Sequence, residues 1–292
     1  MCDNSFNLMR FHIYSVYLVI ILFLAGCKET EVAPVKSINL TPNQHLLFGN
    51  PSGATIDEAN ANNYLLQKPQ YVLSYSRDRG IPNWVSWHVS KEWLGSAPRQ
   101  DDFRADNSLP ANWYKVTATS YSGSGFDRGH NVPSADRTSS AENNSATFMM
   151  TNMIPQAPKN NQETWANLED YTRDLVQAGN EVYVIMGSYG VGGTGTNGKK
   201  QTIDKGRVTV PTQIWKVLVV LPEGNDDLNR INSTTRIIAV DTPNNNTVRA
   251  DWGTYRTSID VIEKNTGYDL LTSLSPQLQS VLESKVDSGP TQ

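Results

Sequence analysis

Two long apolar segments restrict the architectures that this chain can adopt. They are EVYVIMGSYG at 181–190 and IWKVLVVLP at 214–222. Valine and isoleucine are frequent in both, and short apolar runs of this kind are typical of strands that are buried on both faces. TRIIAVDTP at 235–243 predicts a further strand. The chain is therefore expected to contain at least three strands, two of them buried.

Shorter periodic segments predict the remaining elements of an α+β domain. QYVLSYSRD at 70–78 and NWVSWHVSK at 83–91 alternate apolar and polar residues, which predicts two half-buried strands joined as a hairpin. ATFMMTNMIPQ at 146–156 predicts a strand that breaks at Pro155. Three segments predict helices: QETWANLEDYTRDLVQAG (162–179), SIDVIEKNTG (258–267) and SPQLQSVLESK (275–285).

The first 27 residues differ from the rest of the chain. Their apolar run, FHIYSVYLVIILFLAGC, is too short and too one-sided for a stable membrane span and is typical of a secretory signal. Its end, LAGC, resembles a bacterial lipobox, which implies that Cys27 is acylated and becomes the mature N-terminus. An ordinary signal peptide and a single membrane anchor are the alternatives. Residues 28–44 are predicted to tether a domain at 45–286, which a tail at 287–292 follows.

This leader predicts an exported lipoprotein that is anchored to the outer membrane, the cell surface or the periplasmic face. Both cysteines of the chain, Cys2 and Cys27, lie in the leader. The exported part therefore has no thiol for a disulfide, and its stability depends on packing of the core.

The charge of the chain limits how it can bind a polyanion. The net charge is −4, whereas a protein that holds nucleic acid over its whole surface is usually basic. Binding would therefore need a local cationic patch. The candidate residues lie before and around 125–137 and are Arg77, Arg79, Arg99, Arg104, Lys115, Arg128 and Arg137. Ordinary solvated surface charge is the alternative explanation for some of them.

The segment GFDRGHNVPSADR at 125–137 combines residues that can carry out acid–base chemistry. Asp127, Arg128, Gly129 and His130 are consecutive. A neutral imidazole can take a proton from water near physiological pH, and glycine permits close approach of another group to the backbone. These residues alone are explained equally well by a catalytic turn and by a polar loop.

A second group of polar residues follows downstream. Asn161 lies at the predicted start of a helix, and its amide oxygen is a ligand that a hard cation such as Mg²⁺ accepts, with water in the other positions. Glu169 lies about two helical turns further along, where it could hold the water shell of the metal. Helix capping is the alternative explanation for Asn160 and Asn161.

Four segments resemble, in order, the DNA/RNA non-specific endonuclease family, which has the ββα-metal or His-Me finger active site. They are DRGH, TNMIPQ, NNQETWANLE and VIMGSYG. HLLFGNPS, YVLSYSRDRGIPNWVSWHV and YRTSIDVIEKNTGYDLL also resemble blocks of this family, so the resemblance covers nearly all of 45–285. It implies an α+β, ββα-metal nuclease fold with a central, mainly antiparallel sheet flanked by helices.

The resemblance implies roles for individual residues. His130 matches the general base that activates the attacking water, and Asn161 matches the single protein ligand of the catalytic Mg²⁺, for which Mn²⁺ is an alternative. Asn152 matches an asparagine that supports the histidine region, and Glu169 matches an acidic residue bonded to the metal-bound waters. The signature is completed by Asp127, Arg128 and Gly129.

Members of this family also place an upstream arginine against the scissile phosphate. The segment APRQDDFRADNSLP offers Arg99 and Arg104, of which Arg99 is the preferred assignment. These roles together imply a Mg²⁺-dependent endonuclease that hydrolyses phosphodiester bonds of DNA and RNA, since phosphate contacts carry no sequence information. Two alternatives remain: a non-catalytic surface lipoprotein that binds nucleic acid or protein, and a metal phosphodiesterase that acts on small substrates.

Overall fold

The fold is described from a computed structural model, which covers residues 44–292. The predicted leader, with Cys27, and all but the last residue of the predicted tether lie outside the described residues. Within residues 44–292, no helix is both long enough and apolar enough to cross a bilayer.

The described chain alternates strands and helices. The strands are β1 (Tyr64–Gln67), β2 (Val72–Ser76), β3 (Ile81–Val89), β4 (Asp127–His130), β5 (Met153–Gln156), β6 (Asn180–Tyr189), β7 (Gly193–Gly195), β8 (Gly198–Lys200), β9 (Thr202–Ile203), β10 (Val208–Thr209), β11 (Gln213–Pro222), β12 (Arg236–Pro243) and β13 (Arg256–Thr257). The α-helices are α1 (Ala141–Ala146), α2 (Ala166–Gln177), α3 (Asp227–Arg230), α4 (Ile259–Thr266) and α5 (Pro276–Glu283).

A seven-stranded sheet with the order β1-β2-β3-β6-β11-β12-β13 forms the centre of the fold, and all of its pairings are antiparallel. β6 and β11 contain the two long apolar segments and pair with each other along their full length. The predicted α+β fold with a central antiparallel sheet is confirmed. The hairpin of β2 and β3 is also confirmed, but the prediction that its strands are half-buried is wrong. Every residue of both strands is buried, because helices and loops cover both faces of the sheet.

The two faces of the sheet belong to separate hydrophobic cores. Along β6, Val184 and Met186 pack into the core that contains the apolar residues of α2. Tyr183 and Ile185 point to the opposite face and pack with the apolar residues of α4 and α5. This alternation follows from the two-residue period of a strand. The sheet therefore separates α2 from α4 and α5.

The helices predicted at 258–267 and 275–285 are confirmed as α4 and α5 with slightly different ends. Ser258 caps α4, since its side chain accepts a hydrogen bond from the Val261 backbone N–H. Gly267 ends the helix with a φ of 74°, a conformation that glycine adopts without strain.

A small ββα unit lies on the α2 side of the sheet. β4 pairs antiparallel with β5, and a π-helical turn, Asn160–Trp165, then leads into α2. The sequence DRGH is therefore a strand, so the prediction of a turn here is wrong. The strand predicted over 146–156 begins only at Met153, and Pro155 lies inside it. Because β5 pairs only with β4, the missing N–H of Pro155 leaves no hydrogen bond of the central sheet unmade.

Candidate active site

Aromatic rings hold His130 at the end of β4. Its ring packs edge-on against Phe148, with ring centroids 4.9 Å apart and planes at 86°, and lies 5.5 Å from Phe103. An arginine guanidinium also lies over the ring of each phenylalanine. The Arg99 guanidinium lies 4.8 Å from the centre of the Phe148 ring, and that of Arg128 lies 4.0 Å from the centre of the Phe103 ring. The histidine is thus flanked by two aromatic–arginine pairs.

This environment keeps the His130 imidazole neutral. Burial, reinforced by the positive charges of Arg99 and Arg128, lowers its pKa from 6.5 to about 3. Its Nε2 atom is buried and has no hydrogen-bond partner among residues 44–292. The neutral ring is therefore held at Nε2 by packing rather than by a hydrogen bond.

Asp127 orients the amide of Asn161. The Oδ2 atom of Asp127 accepts hydrogen bonds from Nδ2 of Asn161 (2.9 Å) and from Nε2 of Gln162 (2.8 Å). Because the amide nitrogen of Asn161 faces Asp127, its Oδ1 atom points away from this carboxylate. The amide and carboxylate oxygens of these two side chains are the donor type that a hard divalent cation takes, so the residues present fit Mg²⁺ or Mn²⁺.

Four of the predicted site residues share one cleft of about 350 Å³. They are Arg99, Asp127, Arg128 and Asn161. The aromatic side chains of Phe103, Tyr121 and Phe126 complete much of its wall. The cleft thus combines two guanidinium groups with two oxygen donors, a suitable set for a phosphate group and a metal ion.

The two candidate arginines occupy different positions. Arg99 lines the cleft, where Asp101 accepts from its Nε at 2.7 Å and Ser134 accepts from its Nη1 at 2.8 Å. Arg104 lies outside the residues that line the cleft and donates from Nη1 to the Asp102 carboxylate at 2.6 Å. The positions of these side chains favour Arg99 as the phosphate-facing residue.

Asn152 is buried next to the chain that follows His130. Its Oδ1 accepts from the Val132 backbone N–H at 3.0 Å, and its Nδ2 donates to the carbonyls of Val132 (3.0 Å) and Thr147 (2.8 Å). All of these contacts are to backbone, and Asn152 does not line the cleft. The Asn152 side chain therefore fixes the backbone of the segment that follows His130.

Glu169 lies on α2 and pairs with a lysine of the central sheet. Its Oε1 accepts from Nζ of Lys216 at 3.2 Å, and Lys216 is only 1% exposed. Burial raises the pKa of Glu169, which Lys216 partly offsets. The Lys216 ammonium also lies 5.0 Å from the Trp165 ring. Glu169 is not among the residues that line the cleft, and its ion pair with Lys216 could not be inferred from the pattern around α2.

The packing around Gly129 explains why the site motif contains a glycine. A side chain at this position would clash with the side chain of Gln156 on β5, which lies diagonally across the strand pair. The Nε2 atom of Gln156 donates to Oδ1 of Asn160 at 2.6 Å, and Nδ2 of Asn160 donates to Thr242 at 2.9 Å. Asn160 therefore links the ββα unit to β12, a role distinct from both metal binding and helix capping.

The predicted cationic patch is smaller in the structure than the sequence suggested. Arg137 is 0% exposed and donates to the backbone carbonyls of Gln70 and His88, so its inclusion in the patch is wrong. Its guanidinium therefore stabilises buried backbone of the fold. Of the seven basic candidates, Arg99 and Arg128 are the two that line the cleft.

Comparison with known proteins shows the family of the chain. Residues 49–277 match the DNA/RNA non-specific endonuclease family. The chain belongs to this family. It is 48% identical to a nuclease of Nostoc sp. strain PCC 7120 over 92% of this chain and 96% of the relative. It is also 39% identical to human mitochondrial endonuclease G over 55% of this chain and 56% of the relative.

A solved structure shows the same fold. The crystal structure of an EndoG/EndoGI complex matches with a TM-score of 0.65 and 24% identity, over 81% of this chain and 93% of that chain. The ββα unit and the antiparallel sheet are therefore those of a ββα-metal nuclease. As a member of this nuclease family, the protein is a phosphodiester hydrolase.

Proposed function

We propose that this member of the family is a Mg²⁺-dependent endonuclease that cleaves both DNA and RNA. The observation that carries the proposal is the shared cleft of Arg99, Asp127, Arg128 and Asn161, together with His130, whose ring packs against the two phenylalanines that these arginines cover. General base, oxygen donors and cations are the three parts that phosphodiester hydrolysis needs.

His130 acts as the general base in this proposal. Its lowered pKa leaves the ring unprotonated at neutral pH, so that it can accept a proton from the attacking water. Phe103 and Phe148 hold the ring plane, and Asn152 holds the backbone that leaves the strand.

Asn161 would hold the metal ion through its amide oxygen, and its hydrogen bond to Asp127 fixes the amide. The role implied for Glu169, holding the water shell of the ion, stays a prediction, since its carboxylate pairs with Lys216 and does not line the cleft. A bound Mg²⁺ would polarise the phosphate and neutralise negative charge that develops on its oxygens. Mn²⁺ takes similar oxygen ligands and is expected to support the same reaction.

Arg99 and Arg128 bind the phosphate, and neither needs a base or a 2′-hydroxyl to do so. We therefore expect plasmid DNA and a single-stranded RNA to be cleaved at rates within about tenfold of each other, since both present the same diester. Internal cleavage is measured by loss of supercoiled plasmid and by shortening of end-labelled RNA. Hydrolysis of dinucleotides without cleavage of long strands would contradict an endonuclease.

Replacing Arg99 with alanine should lower the cleavage rate by about 10²-fold, because a preorganised charge at the phosphate is removed. Arg104→Ala is the matched control, since this arginine lies outside the lining of the cleft. Its rate should remain within about threefold of wild type. Equal losses for the two variants, measured on the same plasmid at saturating Mg²⁺, would show that Arg99 has no special role.

The low pKa of His130 predicts that kcat/KM does not decrease near pH 6.5, where a histidine base ordinarily becomes protonated. A base with the ordinary pKa of 6.5 would be mostly protonated at pH 5.5, whereas His130 with a pKa of about 3 remains neutral there. We expect kcat/KM, which reports the free enzyme, to change by less than about twofold between pH 7.5 and 5.5. A loss of about tenfold over this interval would contradict the environment described for the ring.

We further propose that the protein is exported and anchored to a membrane through an acylated Cys27. The support is the apolar run that ends in LAGC and the polar segment that follows it. A Cys27→Ser variant expressed in a bacterial host should lose partitioning into the detergent phase. Retention there would contradict lipidation of this cysteine.

A further inference from the structure

Three carboxylates meet on the side of the sheet that is remote from the cleft. Asp260 and Glu263 lie one turn apart on α4, and Glu283 is the last residue of α5. One oxygen from each of the three carboxylates lies within 4.8 Å of the others. α4 and α5 pack into the core opposite α2, so this cluster is separated from the ββα unit by the central sheet.

Glu283 distinguishes this cluster from an ordinary group of surface acids. It is 7% exposed, and its Oε1 atom is buried without a hydrogen-bond partner in the described part of the chain. Buried carboxylates are normally hydrogen-bonded, paired or bound to a metal, because leaving one unpaired is costly. The carboxyl group that faces Asp260 and Glu263 thus lacks a protein partner.

The charges around Glu283 increase this cost. The carboxyl groups of Glu263, Asp269 and Asp260 lie near enough to repel a negative charge on Glu283. Glu263 uses Oε1 to accept from the Leu270 backbone N–H at 2.8 Å, which fixes its carboxylate beside the cluster. Across residues 44–292, no arginine, lysine or histidine forms an ion pair with any of these three cluster carboxylates.

We infer that Asp260, Glu263 and Glu283 form a binding site for a structural divalent cation, Ca²⁺ by preference, that joins α4 to α5. Calcium takes six to eight oxygen ligands at about 2.3–2.6 Å in flexible geometry, so oxygens up to about 5 Å apart can share one ion. Water would complete the shell on the side of exposed Asp260. The inference is independent of the proposed function, because none of these residues lines the catalytic cleft.

Thermal unfolding of the full chain tests this site. Because calcium could also bind in the cleft, the test uses a variant whose cleft lacks its proposed metal ligand. The background variant is Asn161→Ala, which removes the proposed ligand in the cleft. After treatment with EDTA, CaCl₂ at about 100 times its Kd should raise Tm by about 5 °C. Isothermal titration calorimetry on the same protein gives the Kd and the number of ions bound.

Substitution of the proposed ligands distinguishes loss of calcium binding from the effect of removing a negative charge near Glu283. Glu283→Gln and Asp260→Asn, each in the Asn161→Ala background, should weaken calcium binding at least tenfold and, at the same calcium concentration, reduce the rise in Tm by about half or more. Asp260 is exposed, so its replacement leaves the packing of α4 intact. Asp269→Asn is the matched control. It removes a nearby negative charge but no ligand, and its response to calcium should equal that of the background protein.

Two results would overturn the inference. The first is an unchanged Tm and no heat of binding when calcium is added to the Asn161→Ala protein. The second is an undiminished response in Glu283→Gln or Asp260→Asn. Loss of plasmid cleavage in Asn161→Ala has no bearing on this test, so failure of the calcium site and failure of the proposed nuclease mechanism are distinguishable.

Discussion

Replacement of His130 with alanine is expected to lower the rate of plasmid nicking by about 10³-fold, the largest effect of any single substitution considered for this protein. The loss follows because the variant lacks the imidazole that is proposed to accept the proton of the attacking water. Arg99 and Arg128 carry positive charge and cannot accept a proton. The measurement is the initial rate of loss of supercoiled plasmid at saturating Mg²⁺.

Two controls separate loss of the base from loss of the fold. The Tm of His130→Ala should stay close to that of wild type if the Phe103 and Phe148 rings retain their packing. Added imidazole should restore part of the rate, since it can occupy the space between these rings and accept the proton. A variant that keeps more than about a tenth of the wild-type rate would rule out His130 as the principal base.

Asn161→Ala is expected to lower the cleavage rate by about 10²- to 10³-fold and to raise the Mg²⁺ concentration needed for half-maximal activity. The variant removes the amide oxygen that Asp127 directs away from itself, so the chain loses its proposed metal ligand. Excess Mg²⁺ should restore part of the rate, which a purely structural loss would not permit.

Asn167→Ala is the matched control for this substitution. Asn167 lies on the same helical segment, and its Nδ2 donates to the Ala250 carbonyl at 3.0 Å outside the cleft. Its rate and its dependence on Mg²⁺ should both stay within about threefold of wild type. Equal losses in Asn161→Ala and Asn167→Ala would mean that disruption of the segment, rather than loss of a ligand, is responsible.

The sheet was predictable because its strands have local signatures. The apolar runs at 181–190 and 214–222 became the paired central strands β6 and β11. The half-buried character assigned to 70–78 and 83–91 was wrong because alternation reports side-chain polarity, whereas burial depends on what covers each face. Ser74 and Ser86 are buried in this sheet despite their hydroxyls. Their polar groups are satisfied by hydrogen bonds within the protein.

The arrangement of the candidate site could not be predicted from the sequence. DRGH carries turn-forming residues, yet pairing with β5 makes it a strand, and that pairing joins segments more than twenty residues apart. No local sequence pattern marked Phe103 and Phe148 as site residues, because only tertiary packing brings their rings against His130. A local sequence pattern did mark Lys216, since it is a single lysine inside an apolar strand. Such a lysine is rarely buried without a partner, and here the partner is Glu169.

Nicking of supercoiled plasmid by the purified protein in Mg²⁺ or in EDTA, with His130→Ala in parallel, tests the central claim most directly. The account predicts open-circular and then linear DNA with wild type in Mg²⁺. It predicts intact plasmid in EDTA and about 10³-fold slower nicking with the variant. Cleavage that persists in EDTA, or wild-type rates in His130→Ala, would contradict it.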